Sequence, residues 1–167
     1  MRVSILTISD SVSRGIREDR SGHAVAERCM EMGWEVVSRA TLPDEESLIA
    51  EHLIRLADVD KVDLVLTSGG TGLGPRDRTP EATSRVAEIV VPGIGERMRA
   101  AGAAANPHAL LSRSLGACRK STLIVNLPGS PRGAVESFSA VAELLPHAIE
   151  ILRGAGHDGG ATGAGKA

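Results

Sequence analysis

Two aspartates and a run of glycines are the residues of this 167-residue chain whose types and spacing suit chemistry. The segment TSGGTGLGPRD carries glycines at 69, 70, 72 and 74. Without Cβ atoms, its backbone N–H groups can close on a phosphate or another anion. Asp77 follows at once, and a carboxylate beside such an anion repels it unless a cation such as Mg²⁺ lies between them. Asp44 is a second candidate ligand, because Mg²⁺ takes one or two protein carboxylates and completes its shell with water and nucleotide oxygens. The combination suggests metal-assisted phosphoryl chemistry, with Asp44 and Asp77 as candidate metal ligands.

Each of these residues also has a plainer reading. The glycine loop lacks the GxxxxGK[ST] spacing of a P-loop, and Pro75 interrupts the GxGxxG pattern that would start at Gly70, so a tight strand-to-helix turn accounts for it equally well. Asp44 suits a helix cap, and Asp77 an Asx-turn. Arg76, Arg78 and Arg113 either counter phosphate charge or are solvated surface residues; only Arg76 adjoins the glycines. Ser112 and Ser114 flank Arg113 in LLSRS, where they either donate to a polar heterocycle or serve a surface turn. The five histidines are scattered without HExxH spacing, and no GxSxG elbow occurs, which leaves zinc catalysis and covalent hydrolysis without support. Cys29 and Cys118 show no CxxC spacing and read as core residues of a reduced compartment.

The elements that must position these groups alternate strand and helix. Val3–Ile8 reads as a short buried strand, followed by a polar, turn-prone stretch from Ser9 to Gly22. Ser21 is the expected N-cap of a helix bearing Val25, Cys29, Met30 and Met32, which Gly33 ends before a strand from Trp34 to Ala40. Asp44 is placed to cap a helix with Glu45 and Glu46 in its first turn and Ile49, Leu53 and Leu56 at helical spacing. Val62–Thr67 is a strand that breaks into the glycine loop. Thr79, Pro80 and Glu81 start a helix with the threonine at the N-cap, and Pro92 and Gly93 restart another through Arg97 and Arg99. A strand from Thr122 to Asn126 runs into Pro128, Gly129, Ser130 and Pro131, then into a helix with Val135, Phe138, Val141 and Leu145. Continuous apolar strands alternating with helices predict a three-layer α/β fold, a mostly parallel sheet with helices on both faces. The chemistry-bearing residues then fall at strand exits, where open α/β sheets bind ligands. The last residues, GAGHDGGATGAGKA, hold too little apolar content to order themselves and read as a disordered tail over 154–167.

Composition excludes several functions. Nineteen Lys and Arg oppose 21 Asp and Glu, for a formal charge of −2, which offers no basic face for sequence-independent binding to nucleic acid. Aromatic residues make up 1% of the chain, too few for base-stacking platforms. No apolar run approaches the roughly 18–20 residues of a membrane span, and the start MRVSILTISD turns polar too soon for a signal sequence, so a cytoplasmic location is expected.

The motifs ILTISDSVSRG with EDRSG, LPDE, TSGGTGLGPRDRTPEA, PGIGERMR, LLSRSLG and STLIVNLPGSPRGA together resemble the MogA/MoaB family of molybdenum cofactor biosynthesis, which includes the G domain of animal gephyrin. The resemblance covers residues 1–153. It implies an adenylyltransferase that moves AMP from Mg-ATP onto the terminal phosphate of molybdopterin and releases pyrophosphate. Carried over by motif, Asp44 and Asp77 hold Mg²⁺ and catalyse. Ser9, Asp10, Ser68, Gly69, Gly70, Thr71, Gly72 and Arg76, with Asn126, Pro128, Gly129 and Ser130 of the NLPGS turn, form the phosphate and nucleotide site, and Ser112 faces the pterin. The resemblance also implies a homotrimer, and a molybdate-inserting enzyme is a candidate partner. Arg78 departs from the family, which often has valine there, and the glycine-rich tail has no counterpart. The competing reading is a non-catalytic pterin-binding or scaffolding paralogue of MoaB type.

Overall fold

A computed structural model describes residues 1–154. Its six strands are β1 (Arg2–Ile8), β2 (Glu35–Leu42), β3 (Leu64–Ser68), β4 (Ile89–Val91), β5 (Gly116–Arg119) and β6 (Thr122–Leu127). They form one sheet in the order β2-β1-β3-β6-β5-β4. β2, β1, β3 and β6 run parallel, and β5 and β4 each pair antiparallel with their neighbours. The expected mostly parallel α/β architecture is present, with an antiparallel edge.

Residues alternate across the parallel strands, so successive apolar side chains serve two cores. A one-turn helix, α1 (Asp10–Ser13), follows β1, and Val3, Ile5, Leu64, Leu66, Leu123 and Val125 join the helices α2 (Arg20–Glu31), α5 (Pro92–Ala103), α6 (Pro131–Val141) and α7 (Leu145–Leu152) on one face. Leu6, Ile8, Val65 and Ile124 pack against α3 (Glu46–Asp58) and α4 (Thr79–Val86) on the other. Both cysteines lie unpaired and buried in the first core, and burial pushes the Cys29 thiol up to about 12.

Three predicted caps are corrected. Asp19, not Ser21, caps α2 by accepting from the Gly22 N–H at 2.8 Å. Asp44 stops one residue short of the α3 cap position, which Glu45 holds without a side-chain bond, and spends its carboxylate on the N–H of Asp10 instead. Thr79 is the first residue inside α4 rather than its cap. Two further strands, β4 and β5, fill the interval in which only helix restarts were expected.

Pairing aligns the strand exits. Ile8 lies beside Leu42, Thr7 beside Ser68, and Ser68 beside Leu127. Hence Ser9, Asp44, Gly69 and Pro128 emerge along one rim. β1 has β2 on one side and β3 on the other, which makes it the point where strand order reverses and where such sheets open a crevice.

Candidate active site at the sheet rim

Close packing explains two of the glycines. Gly69 has φ +109°, and a Cβ there would collide with the Ile8 carbonyl oxygen. Gly70 has φ +62°, and a Cβ would strike the Thr79 hydroxyl and lie 3.2 Å from Asp44 Oδ1. The tight-turn and chemical readings of this loop are therefore compatible: the bare backbone lets β1, α4 and the Asp44 carboxylate crowd together.

Asp44 and Asp10 brace each other. The Asp10 N–H donates to Asp44 Oδ2 at 2.9 Å, and the Asp44 N–H donates to Asp10 Oδ1 at 3.2 Å. Arg76 grips both Asp10 oxygens at 2.9–3.1 Å and holds that carboxyl below its ordinary range. Asp44 is shifted the other way. Burial raises its pKa, the negative charges of Asp10 and Asp77 raise it further, and the Asp10 N–H and Arg76 partly offset them. Asp77 is held by the Gly74 N–H on Oδ2 at 2.8 Å, while its own N–H donates to the Gly74 carbonyl at 3.0 Å.

The arginines flagged by the sequence turn out to be committed within the protein. Arg113 donates from Nε to Gly72 O at 2.7 Å, from Nη2 to Asp77 O at 2.6 Å and from Nη1 to Glu81, while its main-chain N–H donates to Thr71 O at 2.8 Å. It ties the glycine loop to the first turn of α4. Arg78 pairs with Glu46 of α3.

Two cavities meet at this rim. The larger, about 580 Å³, is bordered by Thr71, Gly72, Ser112, Pro128 and Ser130, with Met98, Arg99, His108 and Glu136 opposite. The smaller, about 310 Å³, is bordered by Ser9, Asp44, Ser68 and Gly69, with Thr7, Arg17 and Arg20. Gly70, Asp77 and Gly129 border both. Asp10 and Arg76, expected in the site, border neither cavity; Asp10 braces Asp44, and Arg76 braces Asp10. Asn126, expected in the site, is instead wholly buried beneath it, where its amide donates to Thr67 Oγ1 at 3.0 Å and Thr83 Oγ1 at 2.9 Å. Sequence reasoning missed Arg17, Arg20 and Thr7, although the polar stretch after β1 marked their neighbourhood, and it assigned no site role to Arg99, His108 and Glu136, although Arg99 closes PGIGERMR and the other two stand just outside LLSRSLG and STLIVNLPGSPRGA.

The acids fit a hard divalent cation. Asp44 Oδ1 and Asp77 Oδ1 accept no hydrogen bond from the described residues, and both carboxylates border the smaller cavity. No group of three or more His, Cys, Asp or Glu side chains able to hold a metal occurs among the described residues. Two carboxylates with open space beside them suit Mg²⁺, which keeps waters and takes phosphate oxygens, better than zinc.

An open α/β sheet with its strand-order reversal at β1, and a glycine loop and two acids lining cavities at that rim, defines a doubly wound α/β protein with a candidate ligand site at its switch point. Residues 4–147 match the family model described as "Probable molybdopterin binding domain", and the chain belongs to this MogA/MoaB family. It is 38% identical over 161 residues to a molybdopterin adenylyltransferase of Helicobacter pylori, covering 92% of this chain and 89% of the relative. It is 36% identical over 169 residues to the molybdopterin adenylyltransferase of Escherichia coli K12, covering 92% and 86%. Among solved structures, the molybdopterin biosynthesis enzyme MoaB of Thermus thermophilus superposes with a TM-score of 0.87 at 48% identity, covering 92% of this chain and 96% of that one. No helix among the described residues is long and apolar enough to cross a membrane.

Proposed function

We propose that this chain is a molybdopterin adenylyltransferase, transferring AMP from ATP to the terminal phosphate of molybdopterin with release of pyrophosphate. The observation that carries this reading is the junction of the two cavities at Gly70, Asp77 and Gly129. A reaction joining two phosphates needs two anionic substrates brought to one point, and a wall shared by two cavities provides it.

A pterin phosphate oxygen attacks the α-phosphorus of ATP, and the bond from that phosphorus to the bridging oxygen breaks with its electron pair leaving on pyrophosphate. Asp44 and Asp77 would hold Mg²⁺, which would supply positive charge to the phosphate oxygens. The chain's own groups position the reactants. Asp10 and Arg76 fix Asp44, Arg113 fixes the glycine loop and Asp77, and the loop N–H groups orient the reacting phosphates. Ser112, on the larger cavity, faces the pterin.

Supporting the association that a homotrimer requires, the edge strand β4 exposes Ile89 and Val90, Leu110 is exposed, and Leu73 and Leu111 are exposed on the larger cavity. Such apolar groups and an open strand edge favour covering by another copy. A cytoplasmic location and a molybdate-inserting enzyme that consumes the adenylylated pterin complete the reading.

The test is turnover. Purified protein with molybdopterin, ATP and Mg²⁺ should yield pyrophosphate and adenylylated pterin, and Asp77→Asn should lower the rate at least a hundredfold with an unchanged melting temperature. The likeness to a MoaB structure keeps a second reading in view, a pterin-binding paralogue without catalysis. Stoichiometric pterin binding with no pyrophosphate released would establish that reading and refute the first.

A further inference from the structure

We infer that the smaller cavity is the subsite for the leaving pyrophosphate, gripped by Arg17 and Arg20; this rests on the proposed adenylyl transfer. In an in-line displacement, the attacking and leaving oxygens lie on opposite sides of the reacting phosphorus. Ser112 places the pterin in the larger cavity, so its phosphate reaches the junction at Gly70, Asp77 and Gly129 from that side. The β- and γ-phosphates must then project into the cavity on the far side of the same wall.

The side chains of that cavity suit them. Arg17 and Arg20 border it, are exposed, and form no ion pair or side-chain hydrogen bond with the described residues. Arg76, Arg78 and Arg113 are all spent on protein partners. Thr7, 3% exposed, borders the same cavity, and its hydroxyl has no partner among the described residues. Arg20 opens the twelve-residue helix α2, whose positive end adds to the attraction for an anion. Glu18, Asp44 and Asp77 also border the cavity. Three carboxylates against two arginines would repel free pyrophosphate, so the subsite takes the magnesium complex.

When the bond between the α-phosphorus and the bridging oxygen breaks, that oxygen keeps the electron pair and pyrophosphate gains the charge that Arg17 and Arg20 are placed to meet. Guanidinium pairs suit this role because each presents a planar fork to phosphate oxygens.

Isothermal titration of the full chain with magnesium pyrophosphate tests the assignment. Arg17→Gln and Arg20→Gln should each weaken binding at least fivefold, and the double variant at least thirtyfold, with AMP affinity unchanged within twofold. Because neither side chain is bonded to the fold, melting temperatures should stay at the wild-type value. Arg28→Gln, which removes an α2 arginine paired with Glu31 instead, controls for net charge and should leave affinity unchanged. Wild-type pyrophosphate affinity in the double variant, or no pyrophosphate binding at all, would overturn the inference. Arginine-dependent binding without adenylyl transfer would leave the subsite standing and remove the proposed activity; transfer indifferent to both arginines would do the reverse.

Discussion

Two segments enter the rim from neighbouring strands, and they are built in opposite ways. The loop after β3, residues 69–78, is cross-braced: Arg113 holds its carbonyls, Asp77 closes on Gly74, and Gly69 and Gly70 wedge it against β1 and α4. The segment after β1, residues 9–20, is braced at two points, by Arg76 and Asp44 at Asp10 and by Arg39 and the Gly22 N–H at Asp19, and between and beside them it presents Arg17 and Arg20 unpaired to the smaller cavity. The first fixes where the reaction happens, and the second keeps charge in reserve for a ligand. Groups that already have partners contribute geometry, whereas unpaired groups contribute binding energy.

The contrast can be broken at its stiffest point. Gly69→Ala forces a Cβ onto the Ile8 carbonyl oxygen at a left-handed φ, where main chain cannot yield cheaply. It should cost on the order of 3 kcal/mol, read as a lower denaturation midpoint with an unchanged m-value. Arg113→Met comes next. It strips the charged donors from two loop carbonyls and leaves Glu81, whose Oε2 is buried and unpartnered, without its cation. A loss of about 2 kcal/mol in stability is expected, with kcat falling at least tenfold and KM for ATP changing less. Arg113→Lys should not restore the rate, because a single ammonium cannot span Gly72, Asp77 and Glu81.

A gentler change separates charge from geometry. Asp44 must be ionised to hold a cation, and its pKa is raised, so activity falls on acidification in a window above the ordinary aspartate value of about 3.9. Asp10→Asn removes one of the negative charges that raise Asp44 and frees Arg76, which lowers it, while the Asp10 main-chain N–H remains. The acid limb of the pH–rate profile should therefore move to lower pH, and a shift upward would contradict this electrostatic reading. The smallest effect belongs to the unpaired segment. Arg17→Gln should change stability by no more than about 0.5 kcal/mol, as for a surface residue without partners.

What could be read beforehand follows the same division. β1, β3 and β6 are apolar runs ended by serine, glycine or proline, so their exits and the acids beside them were visible in composition. β4 has three residues and β5, GACR, has four, too short for any periodicity to register. Asn126 was misplaced because a polar residue at a strand exit resembles a ligand. Strand parity puts it on the Ile124 face, under α4 and opposite to Leu127, and that signal was available. Ser21 and Asp19 stand two residues apart in EDRSG, and composition alone favours neither as the cap. Nor can sequence distinguish committed arginines from free ones, since that depends on which carbonyls and carboxylates the fold brings within reach. The glycine-rich tail expected over 154–167 falls, apart from Gly154, outside the described residues.

The most direct test is a double-mutant cycle on turnover with Asp44→Asn and Asp77→Asn. Raised by burial, the Asp44 pKa means that its charge opposes folding at neutral pH, so its amide variant should melt no lower than the wild type. If both acids serve one cation, each single variant should lose roughly a hundredfold in kcat, and the double variant should lose little more than either alone. Losses that multiply in the double variant would mean that the two carboxylates act independently, and the shared metal site at the rim would have to be abandoned.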